Sequence, residues 1–268
     1  MKPEPPNLPL RALRTVGAAA SWRRLALRFC LLLPLFLCSS ARAATDDEND
    51  EYQLNFNLNA PITEDLSGSG NFGYYWKPDT YNRYRFGWPT ITYSATSWLQ
   101  LLGGLDAYYS DYYHAPDTLE LRPFGGVKLF VPNEAKLQIY NLTRYEYRDT
   151  YNFSIDKWKD YSRIRSRFGI EAPLTSRSRA WEPKTFYALA DVEPFYRFDH
   201  DQWDPLRFRG GLGYILSDRV RIEAIYTAQF SRKTPGSSLE YENNILQLNI
   251  RIGFARGLLG RIFNPGSD

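Results

Sequence analysis

The chain is short of the residues that usually mark chemistry. Among 268 residues it has two cysteines, two histidines and one methionine. Cys30 and Cys38 both lie within the first 43 residues. Everything after them can form no disulfide and offers no thiol nucleophile. With so few histidines and cysteines, metal clusters and thiol chemistry are nearly excluded. No stretch beyond residue 43 reaches the ~18 apolar residues of a transmembrane helix. Charge of one sign is also missing. Lys and Arg number 33 against 30 Asp and Glu, a net +3, which does not suggest a nucleic-acid partner. There is no phosphate-cradling glycine loop, no GxSxG and no ordered calcium-ligand spacing, so the sequence implies no cofactor and no metal. Aromatic residues, in contrast, are abundant. Seven Trp, 20 Tyr and 16 Phe make up 16% of the chain, yet mean hydropathy is −0.47. Rings in that number exclude disorder, and pairing them with so many charges suggests one surface facing lipid and another facing water.

Residues 1–43 read as a cleaved export signal. Lys2, Arg11, Arg14, Arg23, Arg24 and Arg28 precede an apolar run, Phe29 to Cys38, and then Ala41-Arg42-Ala43. That is the basic, apolar, A-x-A order of a secretory leader. The run is too short to span a bilayer. Leu37 before Cys38 speaks against a lipid anchor on that cysteine, and Arg23-Arg24 is weak evidence for twin-arginine export. Residues 44–51 form an acidic lead-in, 52–254 a barrel and 255–268 a short periplasmic tail.

From residue 50 onward, period two dominates. Tyr52, Leu54, Phe56 and Leu58 alternate with Gln53, Asn55, Asn57 and Asn59. Leu246, Leu248, Ile250 and Ile252 alternate with Gln247, Asn249 and Arg251. Strict alternation marks strands with one apolar and one wet face. Ten strands are expected, near 50–60, 83–94, 98–110, 119–131, 135–148, 159–173, 184–198, 205–217, 220–232 and 240–254. The connections between them read as alternately short (95–97, 132–134, 217–219) and long (61–82, 111–118, 149–158, 199–204, 233–239), with 174–183 longer than its class. This pattern predicts an all-β fold: a single-chain transmembrane antiparallel up-and-down barrel of about ten strands, with eight to twelve allowed. Periplasmic turns would be short, outer loops longer, and both termini inside. Tyr108, Tyr109, Tyr112 and Tyr113 at one strand end, and Tyr145, Tyr147 and Tyr151 at another, read as an interfacial girdle. A soluble β-sandwich fits the length but not these polar faces, which carry whole ladders of arginine.

Five segments taken in order add a resemblance: LELRPFGGV (119–127), RYEYR (144–148), RIRSR (163–167), EPF (193–195) and FRGGLGY (208–214). Together they resemble an uncharacterised family of proteobacterial outer-membrane β-barrels, over about residues 83–254. The resemblance implies fold and compartment, the outer membrane of a Gram-negative bacterium. It implies no activity. The chain departs from the usual barrel-assembly signal, because fourteen residues follow Phe254, and Phe263 is a second candidate for the terminal aromatic.

If the polar faces point inward, the lumen holds fifteen basic side chains against seven acidic ones. The ladder comprises Arg122, Arg144, Arg148, Arg163, Arg165, Arg167, Arg207 and Arg209, with Glu146, Asp191, Glu193 and Glu223 as counter-ions. Two readings follow. In the first, the arginines and carboxylates fill the lumen of a structural or interaction barrel, since ~8 strands leave room for little more than side chains. In the second, the basic surplus makes a narrow anion-preferring channel for small acidic solutes, similar in logic to arginine-lined porins for acidic oligosaccharides. An additional pair of strands within 61–82, around Phe72-Gly-Tyr-Tyr-Trp76, would favour the channel. A third reading is catalytic. His200 lies between Asp199 and Asp201, with Asp204 near, and His114 lies near Asp111 and Asp117. A His–Asp pair at an outer rim can activate water, but nothing matches the spacing of rim proteases, and no enzyme activity is expected. The expected partners are outer-membrane lipid, the barrel-assembly machinery and a small anionic solute.

Overall fold

The computed structural model describes residues 50–134, 137–175, 182–234 and 236–254. The signal at 1–43, most of the acidic lead-in, Lys136 and the 255–268 tail lie outside the described residues. Eleven strands follow one another: β1 Asp50–Pro61, β2 Leu66–Lys77, β3 Tyr81–Ser94, β4 Leu99–Tyr112, β5 Thr118–Val131, β6 Gln138–Asn152, β7 Lys157–Pro173, β8 Phe186–Arg197, β9 Gln202–Ser217, β10 Val220–Ser231 and β11 Glu240–Gly253. Each pairs antiparallel with its neighbour in sequence, and β1 closes the barrel against β11.

The eleventh strand is β2, which alternation alone reads as part of a long loop. Its outward positions include Gly68 and Gly70, and its inward ones Ser67, Ser69 and Gly73. Glycine and serine are poor strand formers, so the local signal is weak. Flanking strands hold it in place, with Tyr52 opposite Trp76 on one side and Tyr74 opposite Tyr84 on the other.

An odd count changes the closure. Antiparallel neighbours alternate in direction, so the first and last of eleven strands run the same way. β1 and β11 accordingly pair in parallel, from Asp50 opposite Asn244 to Asn59 opposite Gly253. The two ends of the barrel chain therefore lie at opposite rims, where an even count would have put both at one. The connections also differ from expectation. At the rim where β1 begins they are 78–80, 113–117, 153–156, 198–201 and 232–239; at the other they are 62–65, 95–98, 132–137, 174–185 and 218–219. The strands run on into what read as long loops, so length separates the two rims less than the sequence suggested.

The barrel is turned inside out relative to a soluble one. Phe72, Phe86, Leu101, Leu105, Phe168, Phe208 and Leu212 stand exposed on its outer face, while Asp106, Glu146, Glu193 and Glu223 are buried inside. The expected tyrosine girdle splits by parity. Tyr109, Tyr113, Tyr145 and Tyr147 are exposed, whereas Tyr108 is buried and stacks under the Arg122 guanidinium at 4.2 Å. Inward glycines make room for large lumen side chains. A Cβ on Gly213 would lie 2.2 Å from Cζ of Tyr187, its cross-strand partner. One on Gly126 would lie 2.8 Å from Cγ of Arg144, also its partner across the ladder.

Candidate functional site

Strand alternation lines up the inward charges, and register brings them together. Arg163, Arg165 and Arg167 share one face of β7. Opposite them on β6, Glu146 faces Arg163, and Arg144 faces Arg165. On the far side, Glu193 of β8 faces Arg207 of β9, and Asp191 faces Arg209. Glu146 has no solvent exposure, and three arginines reach it: Arg144 at 2.6 Å, Arg163 at 2.7 Å and Arg165 at 2.9 Å. Arg122 stands 4.0 Å away. Like charges side by side are unfavourable, and a buried charge is tolerated only when paired and hydrogen-bonded. One carboxylate shared by several planar forks meets both conditions.

The same device recurs along the wall. Asp106 takes two hydrogen bonds from Arg85 at 3.0 Å and lies 3.6 Å from Arg144. Glu120 accepts from Arg122 at 2.8 Å and from Arg148 at 2.7 Å. Asp191 takes a bidentate pair from Arg209, both at 2.7 Å. Glu193 takes one from Arg167, both at 3.1 Å. Glu223 bonds Tyr187 at 2.7 Å and Asn249 at 3.0 Å, and meets Arg251 at 3.0 Å. Aromatic rings separate the layers. Phe195 is fully buried, with Arg163, Arg165 and Arg207 around its ring at 4.8, 5.8 and 5.0 Å. Every member of the twelve-residue ladder thus sits on the inward face.

Arg207 stands apart from the other arginines of the ladder. It lies across from Glu193, yet that carboxylate goes to Arg167. Its Nε instead donates to the amide oxygen of Gln229 at 2.5 Å. Arg83 resembles it, donating to Ser110 at 2.7 Å and to Tyr112 at 3.2 Å.

The network does not fill the barrel. A cavity of about 690 Å³ lies inside it. Among its described lining residues are thirteen arginines and three acids, Glu51, Asp204 and Glu242. The carboxylates that hold the arginines lie behind them, so the water-facing surface is basic. The remainder of the lining is uncharged, mostly polar with a few rings and aliphatic side chains such as Phe124, Leu142 and Ile225. It includes Gln53, Asn55 and Asn57 of β1, Ser69 and Asn71 of β2, and Gln247 and Asn249 of β11. Beside the cavity, which Ile225 lines, Tyr187, Leu189, Ile215 and Ile225 pack into an apolar cluster on the β8–β10 side. Among the described residues, several buried donors on the walls have no aligned hydrogen-bond acceptor: Asn55 Nδ2, Arg85 Nε, Arg144 Nε and Arg165 Nε. Arg165 Nε is close to Glu146 but not aligned for a hydrogen bond.

Sequence reasoning finds most of the ladder but misses the inward rings and the polar face of β2. Tyr75, Tyr108, Phe124 and Phe195 share the parity of charged neighbours two residues away, which is the signal that places them.

The rim histidine lies beside an aspartate without a firm hydrogen bond to it. His200 Nε2 is 3.5 Å from Asp199 Oδ2, too long for a firm hydrogen bond. Asp199 is already held by Arg197, at 3.1 and 2.7 Å. Partial burial raises the Asp199 carboxyl, but the hydrogen bond and charge of Arg197 outweigh it and hold the group below the usual carboxylate range. Asp201 accepts a hydrogen bond from Tyr196. Asp204 is buried and accepts from the Arg232 amide at 2.9 Å. Among the described residues no three His, Cys, Asp or Glu cluster as metal ligands would.

A family model described as a protein of unknown function, DUF2490, matches residues 52–240. The chain belongs to that family. No curated protein matches it. The family match spans β1 to the start of β11, so the whole ladder and both histidines fall within it.

Proposed function

We propose that this DUF2490 protein is an outer-membrane barrel of a Gram-negative bacterium whose lumen receives small anions. The compartment is supported by the leader-like order of residues 1–43 and by the exposed apolar face. Apolar patches on soluble monomers rarely exceed a few hundred Å², and here rings and aliphatic side chains stand outward on strand after strand. The observation that carries the lumen reading is its lining, thirteen arginines against three acids. Rings of such groups select anions in narrow pores.

The buried carboxylates are the scaffold in this reading. They fix each guanidinium from behind and leave its remaining donors toward the cavity. A purely structural barrel needs no such surplus, and its arginines would be matched by acids. Arg83 and Arg207 have neutral hydrogen-bond partners instead.

The test is planar-bilayer recording of the full chain, extracted from membranes in detergent. Anion-selective current, or block of a current by added anions, is the expected result. Verified insertions that stay silent, together with no calorimetric heat on adding sulfate, would leave only a structural barrel. Fractionation of cells checks the compartment separately. A rim hydrolase is the weaker reading, because Asp199 is committed to Arg197 and Asp201 to Tyr196.

A further inference from the structure

The geometry points to a more definite occupant: a polyhydroxylated anion, that is a short acidic sugar, held by its charge on one wall and by its hydroxyls on the other. This rests on reading the lumen as an anion receptor and adds what the anion is.

Ring order supplies the first step. In a closed ring of eleven strands, the farthest positions from β1 are β6 and β7, each five steps away. Gln53, Asn55 and Asn57 on β1 therefore stand across the lumen from Arg144, Arg163 and Arg165. All six line the same cavity. A receptor for simple anions needs donors alone, and arginine supplies only donors. Side-chain amides both donate and accept, as sugar hydroxyls do. An amide wall facing a guanidinium wall matches a ligand with hydroxyls on one side and carboxylate or phosphate on the other.

Buried donors without a protein acceptor supply the second step, and they occur on both walls. Asn55 is only 2% exposed. Its oxygen accepts from Tyr75 at 2.8 Å, while its Nδ2 has no acceptor. Arg144 Nε is in the same condition opposite. Buried polar groups are normally satisfied, so each wall keeps a donor beside the cavity that the described residues leave unused. The volume of about 690 Å³ lies within the ~300–1,000 Å³ of small-molecule sites. Carboxylated and phosphorylated sugars share this chemistry.

The experiment is calorimetric titration of the full chain in detergent at fixed ionic strength. The probes are a diuronate, glucose 6-phosphate, maltose and inorganic sulfate. At least one of the two acidic sugars is expected to bind about tenfold more tightly than sulfate, and maltose not measurably. The stronger of the two identifies the anionic group. Asn57→Leu with Asn71→Leu should cut that advantage to about twofold while leaving sulfate affinity unchanged. If the pair fails to fold, Asn57→Leu alone carries the test. Arg207→Gln should weaken acidic sugar and sulfate together. Sulfate binding without any gain for either sugar would overturn the inference and leave the anion receptor standing. Absence of binding by any of the three anions would overturn both.

Discussion

The two walls of the lumen solve the same problem in different ways. Both are polar surfaces enclosed by a sheet whose outer face is apolar. On β3 to β9 the solution is charge, with carboxylates such as Glu146 and Glu193 sunk into the wall and arginines gathered over them. On β1, β2 and the facing part of β11 it is neutral amides, with Tyr75 bonding Asn55 and Gln247 bonding Asn249 at 2.7 Å. The charged wall is stiff because each carboxylate is shared, and losing one leaves several cations without a partner. The amide wall relies on single hydrogen bonds, some between neutral groups and some to a carboxylate, as from Gln53 to Glu51 at 2.6 Å and from Asn249 to Glu223 at 3.0 Å, and it yields one bond at a time. The lesson is that the charges here are organised around a few acids, and that the basic surplus is what remains after those acids are used.

The largest expected effect breaks that organisation. Glu146→Gln removes the charge that holds Arg144, Arg163 and Arg165. Loss of one partner from a buried ion pair costs about 3–5 kcal/mol. Urea unfolding of the barrel in micelles should show a midpoint shift of that order, or a chain that no longer folds. A shift under about 1 kcal/mol, the size of one ordinary hydrogen bond, would mean that the cluster is solvated and its geometry incidental. The matching change on the other wall is Asn55→Ala, which removes the acceptor of the buried Tyr75 hydroxyl. It should cost about 1–2 kcal/mol. Equal costs on the two walls would erase the distinction between them.

Packing between the walls comes next. Gly213→Ala puts a methyl where the Tyr187 ring lies. Overpacking of that kind costs about 1–3 kcal/mol, and it should also disturb the Tyr187 bond to Glu223. The double variant Gly213→Ala with Tyr187→Leu should recover part of the loss, since the clash needs both partners. Unfolding midpoints of the three variants check this.

Arg207→Gln sharpens the comparison from the functional side. Among the described residues Arg207 has no carboxylate within ion-pair distance, and it bonds the neutral amide of Gln229. Its removal should cost no more than about 1 kcal/mol in stability. It should nevertheless lower anion selectivity in bilayer recordings, because it takes a cation from the cavity wall without unpairing an acid. A variant as unstable as Glu146→Gln with unchanged selectivity would make Arg207 structural.

Much of this was legible in the sequence because a strand has period two. Ten of the eleven strands follow from alternation, and the inward parity of Arg163, Arg165 and Arg167 follows with them. β2 escaped because Gly68, Gly70 and Gly73 carry no side chain to alternate. That omission also hid the parallel β1–β11 closure, since a single unseen strand changes an even count to an odd one. Which carboxylate serves which arginine was not legible either. Register decides it, and register is a long-range property set by every turn in the barrel. Arg207 shows the limit. It lies directly across from Glu193, yet Glu193 goes to Arg167 on the strand beyond.

The smallest effect belongs to the rim. His200→Ala should leave stability within about 0.5 kcal/mol, as for surface positions generally, and leave selectivity unchanged, because His200 is not among the cavity-lining residues. Asp199 gives this region its pH dependence. Its carboxyl is held below the ordinary range, so its contact with Arg197 contributes fully above that range and is lost as pH falls through the lowered value. Acidification to about pH 4, near the unperturbed carboxylate value, should therefore leave the 198–201 connection in place. A backbone NMR titration following Asp199 and His200 between neutral pH and strong acid reads this directly. A carboxyl titrating at or above the ordinary value would show that Arg197 does not hold it, freeing Asp199 to orient His200 and reviving the hydrolase.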